Sequence, residues 1–181
     1  VACIADGLGR NSMLLKIDLS GCALGDVGVS ILAQALGSRN TTLQKLILSS
    51  NSITSTGVGV LLETMEHNSH HITEPDLRRN PTIGNEAASL LARYLGNNAL
   101  PNLTRLSLSY CGFWDDGFIA LISALAQNTS LLHLDLCFAH GVSERAFLAL
   151  AESLPDIKVL RRVEFNWCPG LGSAMPSLLV G

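Results

Sequence analysis

The sequence predicts a right-handed α/β solenoid, in which parallel strands line a concave face and helices cover the convex face. Three observations predict this fold: one apolar phrase recurs along the chain, each copy alternates like a half-exposed strand, and each copy is followed by a segment with helical spacing. The clearest copies of the phrase span Leu14–Leu24, Leu43–Ile53 and Leu103–Phe113. Units of this kind stack into a curved horseshoe because none of them can bury its own apolar side.

Six units follow one another at nearly constant intervals of 29, 29, 31, 28 and 29 residues. They begin near Leu14, Leu43, Ile72, Leu103, Leu131 and Leu160. Residues 1–13 resemble the helical end of a further unit, and a helix begins at Leu171. Neither end has the polar capping unit that shields the last core of a solenoid. We therefore expect residues 1–181 to form one continuous solenoid that is a segment of a longer protein, truncated at both ends inside a repeat.

The strand of each unit follows from its Leu-x-x-Leu-x-Leu phrase, whose leucines point into a narrow core while the residues between them face outwards. The third strand is the exception, because Pro75 removes a hydrogen-bond donor from the sheet. The ninth position of the phrase should also lie inside, where Asn can bond to the backbone and Cys can fill space. It is occupied by Cys22, Asn51, Asn80, Cys111 and Cys168.

The segments after the strands have apolar residues at three- and four-residue spacing, with small residues that allow neighbouring helices to approach closely. Helices are predicted over Gly28–Leu36, Gly57–Met65, Ala87–Leu95, Gly117–Leu125 and Ala146–Leu154. Three units have one extra residue before the next core position, at Ile83, Val142 and Leu171. Proline or glycine in these places predicts a slightly wider turn.

Composition excludes several classes of function. The net charge of −3 without a basic run gives no electrostatic footprint for nucleic acid. The longest apolar stretch, residues 117–126, is about half as long as a membrane span, so no membrane partner is expected. Five cysteines without disulfide or metal spacing favour a reducing, cytoplasmic location. The sequons at Asn40, Asn102 and Asn128 are accordingly interpreted as ordinary turn residues.

Candidate catalytic and metal-binding residues are few. His67, His70 and His71 stand close together, but no Cys or carboxylate lies at a complementary spacing, and a solvated loop is the favoured interpretation. His133 and Asp135 share a strand face, but an open concave sheet supplies neither a pocket nor an oxyanion site for a nucleophile. We expect no enzymatic activity, no cofactor, no metal and no small-molecule substrate.

The exposed strand positions form columns that run from unit to unit across the concave face. The third position of the phrase reads Lys16, Lys45, Glu74, Arg105, His133 and Arg162, and the fifth reads Asp18, Ile47, Asp76, Ser107, Asp135 and Glu164. In one interpretation the basic and acidic columns neutralise each other as solvated pairs. In the other they form a charged stripe that orients a protein partner.

The eighth position becomes aromatic towards the C-terminal end, where it reads Arg79, Tyr110, Phe138 and Trp167 after Gly21 and Ser50. Aromatic residues and arginine are frequent anchors of protein interfaces. The alternative is that Phe138 and Trp167 fill the space left by the wider turns of their units. The predicted partner-binding residues are Arg79, Arg105, Tyr110, His133, Phe138, Arg162 and Trp167.

The repeat length, the Leu-x-Leu-x-x-Asn/Cys strand and the helix rich in small residues resemble the ribonuclease-inhibitor-like leucine-rich repeats. The resemblance covers the whole chain, but it lies in buried residues and therefore implies the fold more strongly than the function. It implies a non-catalytic scaffold, part of a larger intracellular protein, that binds a protein partner or adjoining domains of its own polypeptide. Alternatives are a subunit of a ciliary, axonemal or cytoskeletal assembly, a GTPase-activating protein of the Ran type, and the substrate receptor of an F-box ubiquitin ligase.

Overall fold

Six short strands form one parallel sheet in chain order, and a helix follows each of the first five strands. The computed structural model describes residues 1–38, 42–67 and 71–172, so the predictions for Asn40, His70 and the segment after residue 172 lie outside the described residues. The strands are β1 (Lys16–Asp18), β2 (Lys45–Ile47), β3 (Glu74–Asp76), β4 (Arg105–Ser107), β5 (His133–Asp135) and β6 (Arg162–Glu164). The helices are α1 (Ala2–Arg10), α2 (Gly25–Ser38), α3 (Ser55–His67), α4 (Gly84–Gly96), α5 (Asp115–Leu125) and α6 (Glu144–Ser153).

The predicted α/β solenoid is confirmed by this topology. Neighbouring strands pair without any slip, so that Lys16 stands beside Lys45 and Arg105 stands beside His133. The pairing of β3 with β4 is the shortest among the described strands, since only Asp76 and Ser107 are in register. Pro75, at the centre of β3, has no N–H group to donate to the ladder. The columns inferred from the sequence therefore exist, with one weakened pairing.

A single core lies between the sheet and the helices. The last leucine of each of the first five strand phrases is buried: these are Leu19, Leu48, Leu77, Leu108 and Leu136. Helix residues such as Leu32, Leu91 and Leu121 meet them from the convex side and are also buried. Each unit thus completes its core only with its neighbours, as expected for a solenoid.

Two asparagines at the ninth position connect successive units through their side chains. The Asn80 Oδ1 atom accepts hydrogen bonds from the backbone N–H groups of Asn51 (2.8 Å) and Ile53 (3.1 Å) in the preceding unit. The Asn80 Nδ2 atom donates to the carbonyl oxygens of Leu48 and Leu77 at 3.1 and 2.8 Å. Both asparagines are fully buried, so the predicted interior role of Asn at this position is confirmed.

Cysteine at the same position behaves in two ways. Cys111 and Cys168 are buried, and the Cys111 Sγ atom contacts the Leu77 carbonyl oxygen at 3.2 Å. Cys22 is exposed, so the prediction that it lies in the interior was wrong. It belongs to the unit of β1, the strand at one edge of the sheet, and within the described residues no further strand covers it on that side.

The helices begin two or three residues earlier than their apolar spacing predicts, because their first turns are polar, and α3 and α6 are each capped by an aspartate of the preceding unit. The Asp26 carboxylate accepts hydrogen bonds from the backbone N–H groups of Thr54 (2.9 Å) and Gly57 (3.1 Å) at the start of α3. Asp115 accepts hydrogen bonds from the N–H and the hydroxyl of Ser143, before α6, both at 2.6 Å. At the start of α3 a glycine is required, since a Cβ atom at Gly57 would lie 2.4 Å from the Asp26 Oδ1 atom.

The three wider turns are confirmed as closed turns with the same hydrogen bond. The N–H groups of Ile83, Val142 and Leu171 donate to the carbonyl oxygens three residues earlier, at 3.0, 3.2 and 3.1 Å. Asn128 is a turn residue as well, because its Oδ1 atom accepts hydrogen bonds from the backbone N–H groups of Ser130 (3.1 Å) and Leu131 (2.7 Å). The extra residue therefore lengthens each turn without displacing the next core position.

Candidate protein-contact surface

The eighth residue of every unit has a left-handed backbone. Its φ angle lies between 56° and 66° in all six units, at Gly21, Ser50, Arg79, Tyr110, Phe138 and Trp167. In the first five units the N–H group of this residue donates to a carbonyl oxygen of the next unit, as from Tyr110 to Cys137 at 3.0 Å. We call this row the rim column, because it follows the carboxyl ends of the strands along one edge of the concave face.

Large side chains in this conformation are unfavourable for the backbone. A non-glycine residue held in a sparsely populated region costs about 1 to 3 kcal/mol, and bulky residues are rarer there than Asn or Gly. The core gains little in return, since Tyr110, Phe138 and Trp167 are 48%, 41% and 74% exposed. Folding alone therefore does not account for three aromatic residues in successive units of the rim column.

These rings form a connected patch, which we call the aromatic ridge and define as Tyr110, Phe138, His140 and Trp167. The Phe138 and Trp167 rings are stacked, with centroids 6.1 Å apart and planes inclined by 10°. His140 links the other members, since its ring centroid lies 6.3 Å from Tyr110 and 6.1 Å from Phe138. Sequence reasoning missed His140, although its place in the wider turn directly after the rim column was a signal that could have found it.

Trp114 extends the exposed aromatic surface beside the ridge. It is exposed and forms an isolated parallel bridge with Gly141, the residue after His140. A Cβ atom at Gly141 would lie 2.8 Å from the Phe113 carbonyl oxygen and 3.0 Å from the Trp114 ring. Glycine is thus needed for the close approach of the two loops. Trp114 and His140 line a shared groove of about 490 Å³.

The strand columns carry charges that are largely neutralised within the protein. The Glu74 carboxylate lies 3.0 Å from the Lys45 Nζ atom and 3.9 Å from Arg105, and Arg162 contacts Glu164 at 2.8 Å. Exposed pairs of this kind contribute little to stability, which agrees with the interpretation as solvated pairs. Of the predicted contact residues, Arg105, His133 and Arg162 therefore lie on the strands, apart from the rim column that contains the other four.

The polar residues beside the strands do not form a catalytic group. The Ser109 hydroxyl donates to the Asp135 carboxylate rather than to His133. Burial raises the pKa of the Cys111 thiol to about 12, and burial likewise raises the pKa of Cys137 and Cys168 above the ordinary value. Thiols with raised pKa values are poor nucleophiles near neutral pH.

One group of possible metal ligands exists among the described residues. The ligand atoms of Asp135, Cys137 and Glu164 lie within 4.8 Å of one another. Each is already engaged: Asp135 accepts from Ser109, the Cys137 Sγ atom accepts the Asn166 N–H at 3.3 Å, and Glu164 is paired with Arg162. The arrangement is therefore explained by contacts within the protein.

The profile of the family described as "Leucine Rich repeat" matches residues 10–33, 39–62 and 99–121. These matches cover the first, second and fourth strand phrases of the stacked units. The chain is a leucine-rich-repeat protein. The ribonuclease-inhibitor-like subtype within this family stays a prediction. Throughout the part of this leucine-rich-repeat chain that the structure describes, no helix has the length and apolar character needed to cross a membrane.

The leucine-rich-repeat chain is similar to parts of much longer proteins. It is 33% identical over 133 residues to "NACHT, LRR and PYD domains-containing protein 13" of Homo sapiens, which covers 74% of this chain and 12% of that protein. It is 36% identical over 135 residues to protein 5 of the same series from Homo sapiens, covering 74% of this chain and 11% of that one. The human "Centrosomal protein of 78 kDa" is 28% identical over 155 residues, which cover 74% of this chain and 22% of that protein.

A solved structure supports the fold alone. The chain titled "Leiomodin-1 Actin-Binding Site 2 (ABS2)" aligns with a TM-score of 0.51 at 13% sequence identity. The alignment covers 99% of this chain and 85% of that one. Similar stacking is therefore reached with few identical residues, as expected when the fold depends on a pattern of buried positions.

Proposed function

We propose that this chain is a non-catalytic protein-interaction scaffold, a segment of a larger intracellular leucine-rich-repeat protein, and that it binds a protein partner or an adjoining domain through its concave side. The observation that carries the proposal is the aromatic ridge, in which exposed rings occupy left-handed backbone positions in three successive units. Aromatic side chains bury large areas on binding with little loss of conformational freedom. The strand residues Arg105, His133 and Arg162 would lie beside the bound partner and orient it.

The test removes the most exposed ring. We expect Trp167→Ala to weaken binding of the partner by about 2 kcal/mol, as for a typical interface anchor, while the thermal unfolding midpoint stays unchanged. A partner would first be isolated from lysate on the immobilised wild-type chain. The affinity of that partner for the purified wild-type chain and for each purified variant would then be measured. Val27→Ala is the matched control, because Val27 is also largely exposed but lies in α2, away from the ridge.

Two results would contradict the proposal. An unchanged affinity together with a lowered unfolding midpoint would show that Trp167 serves packing. An equal loss of affinity in Val27→Ala would show that capture depends on nonspecific binding to exposed apolar residues rather than on the aromatic ridge.

A structural subunit is the second candidate, favoured by the similarity to "Centrosomal protein of 78 kDa" from human and mouse. For a structural subunit we expect a cytoskeletal or centrosomal location, and for the protein-interaction scaffold a cytoplasmic one. A subunit should purify in fixed stoichiometry with its neighbours, whereas a reversible binder should purify largely alone. Size-exclusion chromatography with light scattering on the native protein separates the two. The GTPase-activating and F-box alternatives stay predictions.

A further inference from the structure

A groove of about 780 Å³ lies next to the aromatic ridge, along the first five units of the rim column. It exists because the rim column is small in the first two units, at Gly21 and Ser50, and becomes bulky from Arg79 onwards. Tyr110 and Phe138 form its wall at the ridge end. We call this feature the rim groove.

Two arginines lie at the centre of the rim groove, and the carboxylates of Asp18, Asp76 and Asp135 behind its lining are engaged by Ser20, Arg78 and Ser109. Arg78 and Arg79 line it, and none of the described lining residues is a carboxylate. Arg78 is held by Asp76 through its Nε and Nη2 atoms at 2.6 to 3.0 Å, and this hydrogen-bonded pair raises the pKa of Arg78. Arg79 is exposed and forms no ion pair within residues 1–38, 42–67 and 71–172. One uncompensated guanidinium, with its fork of donors, thus faces the groove.

The serine hydroxyls of the rim groove are arranged as acceptors. The Ser20 hydroxyl donates to Asp18 at 2.6 Å, the Ser49 hydroxyl donates to Ser20 at 2.9 Å, and the Ser109 hydroxyl donates to Asp135. Each hydroxyl has a single hydrogen, so the oxygen lone pairs of Ser49 and Ser109 are left to accept. Acceptors of this kind suit the N–H groups of a peptide and disfavour a small inorganic anion.

We propose that the rim groove binds a short acidic peptide segment of a protein partner. A carboxylate of the peptide pairs with Arg79, its backbone N–H groups meet the serine oxygens, and an apolar side chain lies against Tyr110 and Phe138. The backbone hydrogen bond from the Arg79 N–H to the Ser109 carbonyl oxygen at 2.8 Å fixes the base of the arginine in place. This inference rests on the proposed function, because it names the chemistry of a partner that also contacts the aromatic ridge.

The test uses fluorescein-labelled peptides with several Asp or Glu residues around one Phe, Leu or Trp, compared with the same peptides carrying Asn or Gln. Fluorescence anisotropy should show the acidic peptides binding about tenfold more tightly, since hydrogen bonds between charged groups are the strong ones. Arg79→Gln should weaken the acidic peptides by about five- to tenfold and leave the amide peptides unchanged. Arg161→Gln is the matched control, as an exposed arginine before β6 at the opposite end of the strands, and should change neither.

Equal binding of acidic and amide peptides, or an equal loss in both arginine variants, would overturn the inference. Binding of a phosphopeptide or of inorganic phosphate through Arg79, with no binding of carboxylate peptides, would also overturn it. Amide resonances of Ser50 and Tyr110 that move on titration with an acidic peptide would support the rim groove directly. If Trp167→Ala weakens partner binding but no acidic peptide binds, this inference fails and the proposed function stands. If acidic peptides bind in an Arg79-dependent way but Trp167→Ala leaves partner affinity unchanged, the rim groove is supported and the contact role of the aromatic ridge is contradicted.

Discussion

Asn80 and Cys111 occupy the same position in neighbouring units but form very different contacts. The Asn80 side chain accepts from two backbone N–H groups of the preceding unit and donates to the carbonyl oxygens of Leu48 in that unit and of Leu77 in its own. The Cys111 thiol contacts the carbonyl oxygen of Leu77 at 3.2 Å and a backbone N–H group of Asn80. The amide is therefore the stronger connection between two units.

This difference leads to a prediction for stability. Asn80→Ala should lower the free energy of unfolding by about 3 kcal/mol, because it leaves several buried backbone groups without partners. Cys111→Ala should cost about 1 kcal/mol, mainly through the loss of packing. Urea denaturation of both variants tests the difference, and equal losses would show that the asparagine hydrogen bonds contribute nothing beyond space filling.

Residue-level prediction from sequence succeeded where side-chain chemistry alone decides the position. Asn at the ninth position has to satisfy backbone groups, and the sequence pattern is enough to infer this. The exposure of Cys22 depends on whether a further unit covers it, which the residue itself does not encode. The left-handed backbone of the rim column was missed as well, because Arg, Tyr, Phe and Trp are not residues that indicate a positive φ angle.

Helix α6 is capped from the preceding unit, and this contact has a pH dependence. The hydrogen bonds from the Ser143 hydroxyl and backbone N–H, followed by Arg145, hold the pKa of Asp115 below its ordinary value of 3.8. A carboxylate with a lowered pKa in the folded state stabilises the protein above the pKa of the unfolded state. This contribution is lost as the pH falls through the lower pKa of the folded state.

Asp115→Asn should therefore be less stable than the wild type at neutral pH, and the difference should shrink as the pH falls below about 3.8. Thermal unfolding followed by circular dichroism across this range measures it. Asp116→Asn is the matched control, since it removes the same charge from an adjacent, highly exposed residue that forms an ion pair with Arg145. A difference that persists at low pH, or equal behaviour of both variants, would contradict the capping role.

Helices were predicted in the right places, but their first turns were not. Apolar spacing identifies the face that meets the sheet, and it contains no information on polar residues before that face. The caps at Asp26 and Asp115 act on the following unit, about one repeat further along the chain. They become visible only when the units are stacked, which explains why local sequence signals did not reveal them.

The whole molecule is a linear stack, so a core substitution should matter most in its middle. Leu108→Ala, in the unit of β4, should lower the free energy of unfolding by about 2 to 5 kcal/mol, since Leu108 is buried between two neighbouring units. Leu19→Ala, in the unit of β1, should cost less than half as much, because among the described residues only helix α1, and no paired strand, covers that unit on its outer side.

Denaturant unfolding and amide hydrogen exchange test this gradient together. The amides of β1 should exchange faster than those of β4 in the wild type, since among the described residues β1 pairs with one strand and β4 with two. Equal losses for Leu19→Ala and Leu108→Ala would mean that the described units unfold as one cooperative block.

At this scale the fold was predictable and the contact surface only partly so. The repeat interval aligns the strands, and with this alignment come the columns of exposed residues. Which of these residues remain available depends on side-chain geometry: Glu74 engages Lys45 and Arg105, whereas Arg79 has no such neighbour in the described part of the chain. Tyr110, Phe138 and Trp167 of the ridge were identified from sequence. The place of His140 between the Tyr110 and Phe138 rings depends on the geometry of the wider turn, which the sequence alone does not give.

The rim column is held in place by main-chain hydrogen bonds, which any amino acid except proline can form. The side chains along this edge are thus not needed for the hydrogen bonds between units, and they can differ while the fold stays the same. Duplication or loss of one unit would add or remove a single recognition position at unchanged spacing. Substitutions along the rim column can accordingly change which ligand such a protein binds, one residue at a time, without changes in its core.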